Sequence, residues 1–262
     1  MTLSLDDALL RADELRERGR YPHAEAVLEP LVSRVDRQCG RASIAAARVR
    51  NSHGLLLKAT GRYAEARDRY LEALAIAAAF GDEYADDVAT LHHNLAGIEF
   101  VLGDLAAAAT WGREGLDLRR RTAGADHLSV LYDEGNLAPI LLAAGECDAA
   151  EGLLLHVLDH FRSRLGADDY EVAVALTNLG ALAAERGDLP LALERLTEAV
   201  RIKSARLGPD HPELIRTLIN IAVVAEKLGD AAESSRAVAW ALTIAGATLP
   251  PDHTLRRTLE TW

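Results

Sequence analysis

An all-α fold, an α-solenoid of tandem antiparallel helix pairs with a C-terminal capping helix, is expected from three features of the chain. The first is composition. Of 262 residues, 49% are hydrophobic, yet Phe, Trp and Tyr together make only 5%, and alanine and leucine dominate the rest. Both are strong helix formers, whereas β-branched and aromatic residues favour strands. The second is a series of glycines, Gly19, Gly61, Gly103, Gly145, Gly187 and Gly229, each 42 residues after the last. Five residues beyond each stands a small side chain: Ala24, Ala66, Ala108, Ala150, Ala192 and Ser234. The third is a loop with the same step, "AGADHL" at 123–128, "LGADDY" at 165–170, "LGPDHP" at 207–212 and "LPPDHT" at 249–254. Self-similarity at such a period marks an array of stacked units.

Each unit holds one helical run before its marker glycine and one after it. First helices are expected at roughly 4–18, 42–60, 86–102, 127–144, 170–186 and 212–228. Second helices follow at roughly 21–37, 63–80, 105–122, 147–165, 189–206 and 231–246. The repeats then occupy approximately 4–37, 42–80, 84–122, 127–165, 170–206 and 212–246, with a cap helix at 252–262, all in a single domain of 1–262. The glycine ends the first helix with φ > 0. The small residue lets the second helix approach closely. Asp126, Asp210 and Asp252 stand where the next first helix begins and are expected to cap its free N–H groups. The tail "DHTLRRTLETW" puts Leu255, Leu259 and Trp262 on one helical face, as a capping helix requires.

The segment "NLGALAAERGDLPLALERLTEAVRI" at 178–202 has Leu-Gly in the first helix, Gly at the turn and Ala in the second. In this it resembles the tetratricopeptide repeat (TPR), whose usual unit is ~34 residues. The longer unit and the "LGxDHP" loop resemble the kinesin light chain subtype. The resemblance covers about residues 5–250. It departs where the family has a first-helix aromatic: Leu57, Glu99, Leu141, Ala183 and Ala225 stand there. The first unit lacks the long loop, and nothing resembles a motor-associated coiled coil, so no transport role carries over. The resemblance implies a right-handed superhelix whose concave groove is lined by the first helices.

Asparagine recurs inside those helices, in "HHNLAGI", "EGNLAPI", "LTNLGAL" and "LINIAVV". Asn94, Asn136, Asn178 and Asn220 are again 42 apart. With the marker glycine as position 15, positions 4, 7, 8 and 11 form the packing stripe at 100° per residue. In one unit these are Leu176, Leu179, Gly180 and Ala183. Position 6, the asparagine, lies about 140° from the stripe. Asn costs ~0.5 kcal/mol against Ala in a helix interior. Four cost ~2 kcal/mol of the ~5–15 kcal/mol that holds a domain together. Two compensations are open: an amide ladder between repeats, or bonds to the backbone of an extended peptide. The resemblance implies a ligand-facing column of Ser52, Asn94, Asn136, Asn178 and Asn220.

The same arithmetic places Arg48, Lys58, His93, Phe100, Tyr132, Pro139, Thr177, Arg216 and Lys227 on that face. Its middle is small or apolar, and its ends carry Arg48, Lys58, Arg216 and Lys227. An apolar face on an outer helix surface points to binding. The expected partner is a protein or peptide with an apolar or aromatic anchor and acidic flanks. A tight superhelix whose groove side chains touch one another is the alternative. Pro139 removes the N–H that would bond the Gly135 carbonyl, so a kink and a free acceptor are expected there.

Other functions find little support. The net charge of −11 argues against a nucleic-acid surface. No apolar run reaches eighteen residues, so no membrane span is expected, and "MTLSLDDALLRADEL" does not read as a signal peptide. Cys39 and Cys147 form no disulfide framework and fit a reducing cytoplasm. No phosphate loop, GxSxG, HExxH or CxxC motif occurs, and no cofactor or metal is expected. His156 and His160 have metal-ligand spacing but are expected to point somewhat apart. His93, Tyr132 and Glu134 could be imagined as an acid–base cluster, although Glu134 falls at a packing position. The favoured function is a non-catalytic interaction module, an adaptor or regulatory scaffold. A small-molecule or catalytic solenoid with a mid-groove pocket, and a self-assembling scaffold that would be a homo-oligomer, are the alternatives.

Overall fold

The computed structural model describes residues 3–249 and 254–262, and the elements among them are helical. Six pairs follow in order: α1 (Leu5–Glu17) and α2 (Tyr21–Gln38); α3 (Ile44–Ala59) and α4 (Tyr63–Ala78); α5 (Ala85–Leu102) and α6 (Leu105–Ala123); α7 (Leu128–Ala143) and α8 (Cys147–Leu165); α9 (Tyr170–Glu185) and α10 (Leu189–Leu207); α11 (Leu214–Leu228) and α12 (Ala231–Thr248). The last helix, α13, is Thr254–Glu260, and a short 3-10 turn at Asp82–Tyr84 precedes α5. The chain forms two compact units, Met1–Ala144 and Gly145–Trp262.

The helix ends follow from local chemistry. All six marker glycines have positive φ. At Gly103 φ is 88° and ψ 3°, and the Asp104 N–H reaches back to the Glu99 carbonyl at 2.9 Å. That left-handed turn satisfies carbonyls the helix would otherwise leave bare. Next to it, Asp104 accepts from the Ala107 N–H at 2.9 Å, and Asp188 and Asp230 cap α10 and α12 in the same way. The loop caps are not the aspartates expected. α7 is capped by His127, whose Nδ1 accepts from the Ser129 N–H at 3.3 Å, and not by Asp126. At α11 the N-cap is Glu213, with no side-chain cap, and His211 Nδ1 accepts from the Glu213 N–H at 3.3 Å, so Asp210 is not the cap either. Asp252 lies outside the described residues.

In the first unit each helix packs on the next from α1 to α7, and in the second from α8 to α13. Ala24, Ala66, Ala108, Ala150 and Ala192 are fully buried and Ser234 nearly so, because a larger side chain there would hold the paired helices apart. Leu28, Leu56, Leu95 and Ile98 lie in the core of the first unit, Leu196, Leu218, Ile244 and Leu259 in that of the second. Leu259 seats α13, but Trp262 is exposed rather than sharing the buried face. The side chain of Leu255 lies outside the described residues.

Candidate functional site

The packing stripe is buried as its spacing requires, with Leu176, Leu179 and Ala183 all in the core. The opposite stripe is heterogeneous. Asn94 on α5 is only 7% exposed, and its Nδ2 donates to the Oδ1 of Asn51 on α3 at 2.8 Å. This rung is a bond between repeats. Asn136 on α7 is exposed and turns its Nδ2 onto the Tyr132 carbonyl of its own helix at 2.8 Å. Asn178 and Asn220 are half-buried and make no hydrogen bond among the described residues. Ser52 heads the column, 8% exposed.

A different set of side chains bridges the first helices. The Asp133 carboxylate takes His93 Nδ1 at 2.8 Å on one oxygen and Arg119 Nε at 2.8 Å on the other. Arg119 also donates to Thr90 Oγ1 at 3.0 Å and to Asp86. Burial works against its charge, but the Asp133 and Asp86 carboxylates hold the guanidinium pKa above its ordinary value. The partner of His93 is therefore Asp133, not Tyr132 or Glu134; Glu134 is buried against Arg120 at 2.7 Å. In the second unit Thr217 Oγ1 lies 3.3 Å from Thr177 Oγ1 and accepts from Lys203 Nζ at 3.1 Å. His93, Arg119 and Asp133 stand two repeat periods before Thr177, Lys203 and Thr217. That coincidence in spacing was available in the sequence as a second register beside the asparagines.

The remaining expected residues divide. Tyr132, Arg216 and Lys227 are exposed, and Phe100 and Pro139 are half-buried. α7 is assigned as one helix through Pro139. Arg48 is answered by Asp6 at 2.8 Å. Lys58 is half-buried, and burial followed by the charge of Arg16 lowers its pKa. His156 and His160 do not point apart: their ring centroids are 4.2 Å apart, with His160 Nδ1 donating to the His156 carbonyl at 2.9 Å. A cleft of about 170 Å³ opens beside Arg48, Asn51 and Ser52. No described helix is long and apolar enough to cross a membrane.

The tetratricopeptide repeat family model matches residues 87–163, 131–205 and 171–247. No curated protein matches the chain. Among solved structures it is similar to BtubC (BKLC) from P. vanneervenii, at 21% identity over 96% of both chains with a TM-score of 0.66. It is similar to the TPR-like repeats of a kinesin light chain from P. anserina, at 18% identity over 78% of this chain and 96% of that one, TM-score 0.65. It is also similar to NprR in complex with its cognate peptide NprX, at 17% identity over 95% of this chain and 72% of that one, TM-score 0.67. Identities this low speak to the fold alone.

Proposed function

Because the chain belongs to the tetratricopeptide repeat family, we propose that it is a non-catalytic interaction module that holds an extended peptide or partner segment on its first helices. One observation carries this reading. The amides of Asn178 and Asn220 make no hydrogen bond among the described residues, while Thr177, Thr217 and Lys203 bridge the same helices instead. A ladder would have used those amides. Each offers two donors and an acceptor, enough to pair a peptide N–H and C=O without reading sequence. Asn94 is assigned the structural role and Asn178 and Asn220, both in the second unit, the binding role. The peptide held by NprR, similar in fold, supports the reading. The free thiols Cys39 and Cys147 suit a reducing cytoplasm.

The test begins with a peptide selected from a random library on the full chain. Asn178→Ala with Asn220→Ala should weaken it by roughly tenfold or more, at about 1 kcal/mol per lost hydrogen bond. The same variant should melt no lower than the parent, since alanine is the better helix residue. Asn94→Ala should do the opposite, lowering the melting temperature with little effect on affinity. Unchanged affinity with a lower melting temperature in the double variant would sink the proposal.

A further inference from the structure

In each unit a buried cation of a second helix reaches between first helices: Arg119 donates to Asp86 and Asp133, and Lys203 to Thr217, itself 3.3 Å from Thr177. The two cations stand two steps of 42 apart. One step before Arg119 stands Ala77, which ends at Cβ. The cleft of about 170 Å³ in the first unit opens at this place, with Ala77 in its lining. Leu9, Ile44 and Leu91 give it apolar walls, and Asp13 and Asp87 supply carboxylates. Ser52 also lines it, more than nine-tenths buried and with no hydrogen bond to any described residue. A hydroxyl without a protein partner gains from a polar guest, and the Ser52 side chain lines a space that a guest could fill.

We propose that this cleft receives one cationic side chain of the partner segment, its aliphatic stem on Leu9, Ile44 and Leu91 and its head at Asp13 and Asp87. Three observations support the choice of charge. Arg48, the cation in the lining, is already paired with Asp6 at 2.8 Å. Burial pushes the Asp13 carboxyl up even though Arg16 Nε lies 3.6 Å from it and pulls the other way. The next junction holds its own basic side chain, Arg119, between two carboxylates. Lysine and arginine both lay an apolar stem along a wall while the head meets a polar rim.

The inference rests on the chain's being a segment-binding module, but the test reads the cleft alone. The full chain, labelled at alanine methyls, is titrated with acetyl-Gly-Lys-Gly-amide, its norleucine counterpart and its glutamate counterpart, following Ala77 by NMR. The lysine peptide should shift that methyl saturably and bind roughly tenfold tighter than norleucine, the scale of one charged hydrogen bond. Asp13→Asn with Asp87→Asn, its fold checked by circular dichroism, should reduce lysine to the norleucine level. Equal binding of norleucine, preference for glutamate, or no shift with any peptide overturns the inference. None of these touches the result at Asn178 and Asn220, which lie in the second unit.

Discussion

Lys203 is buried on α10, 4% exposed, with the Thr217 hydroxyl as its hydrogen-bond acceptor. Burial lowers its pKa, with Glu213 pulling the other way and Arg216 adding to the fall. Below the folded-state pKa the chain carries the whole cost of a desolvated ammonium. Between that pKa and the ordinary lysine value of about 10.4, the unfolded chain keeps a proton the folded one has shed. Stability therefore rises with pH through that window. Lys203→Met keeps the length and removes the charge, and Thr217 retains Thr177 as a partner. It should raise stability at pH 7 by about 1–3 kcal/mol, and the gain should shrink as pH nears 10. Denaturant melts of both proteins at the two pH values check this; a gain that does not change with pH would mean that charge is not its cause. The asparagine column was legible in the sequence at this scale, but the division of labour within it was not. Asn94 and Asn178 occupy the same helical position, but 43 residues back stands Asn51 for the first and Gly135 for the second, so only Asn94 has a side chain there to bond.

Pairs of helices approach through matched sizes. A Cβ on Gly54 would lie 2.4 Å from the Tyr70 ring, and one on Gly180 would lie 2.7 Å from Leu196 Cγ. At the same register α11 and α12 carry Ala222 and Val238. In these three pairs the bulkier second-helix residue, Tyr70 or Leu196, sits over glycine, and Val238 over alanine. Gly54→Ala is expected to cost roughly 1–3 kcal/mol through overpacking. Combined with Tyr70→Val it should cost clearly less than the sum of the single changes, a coupling of about 1 kcal/mol. Thermal or urea melts of the four proteins measure it, and additive losses would refute the pairing. Helix limits were readable to within a few residues because capping and glycine turns are local. The α7 cap was misplaced by one residue because the identity of the cap depends on which residue turns extended, at His127 rather than Asp126.

Over the whole molecule, stability should be carried by neighbour contacts, as in repeat proteins generally. The end helices have fewer of them. α13 has seven residues and is seated through Leu259, while α5 is flanked by α4, α6 and α7. Amide exchange should be fastest in α13, intermediate in α1 and slowest in α5 and α9, as local opening costs track packing. Uniform protection across all helices would show a single cooperative unit instead.

The 42-residue spacing was enough to specify the helices, their pairing and the two faces of each first helix. These depend on hydrogen bonds and side-chain rows that recur within four residues of chain. The packed structure settled which polar groups meet: Asn94 with Asn51, His93 with Asp133, Lys203 with Thr217. It also revealed the cleft at Ala77. Such contacts join residues some 14 to 43 positions apart. They turn on the axial offset of one helix against the next, which hydrophobic spacing leaves undefined and packing determines to a fraction of an ångström.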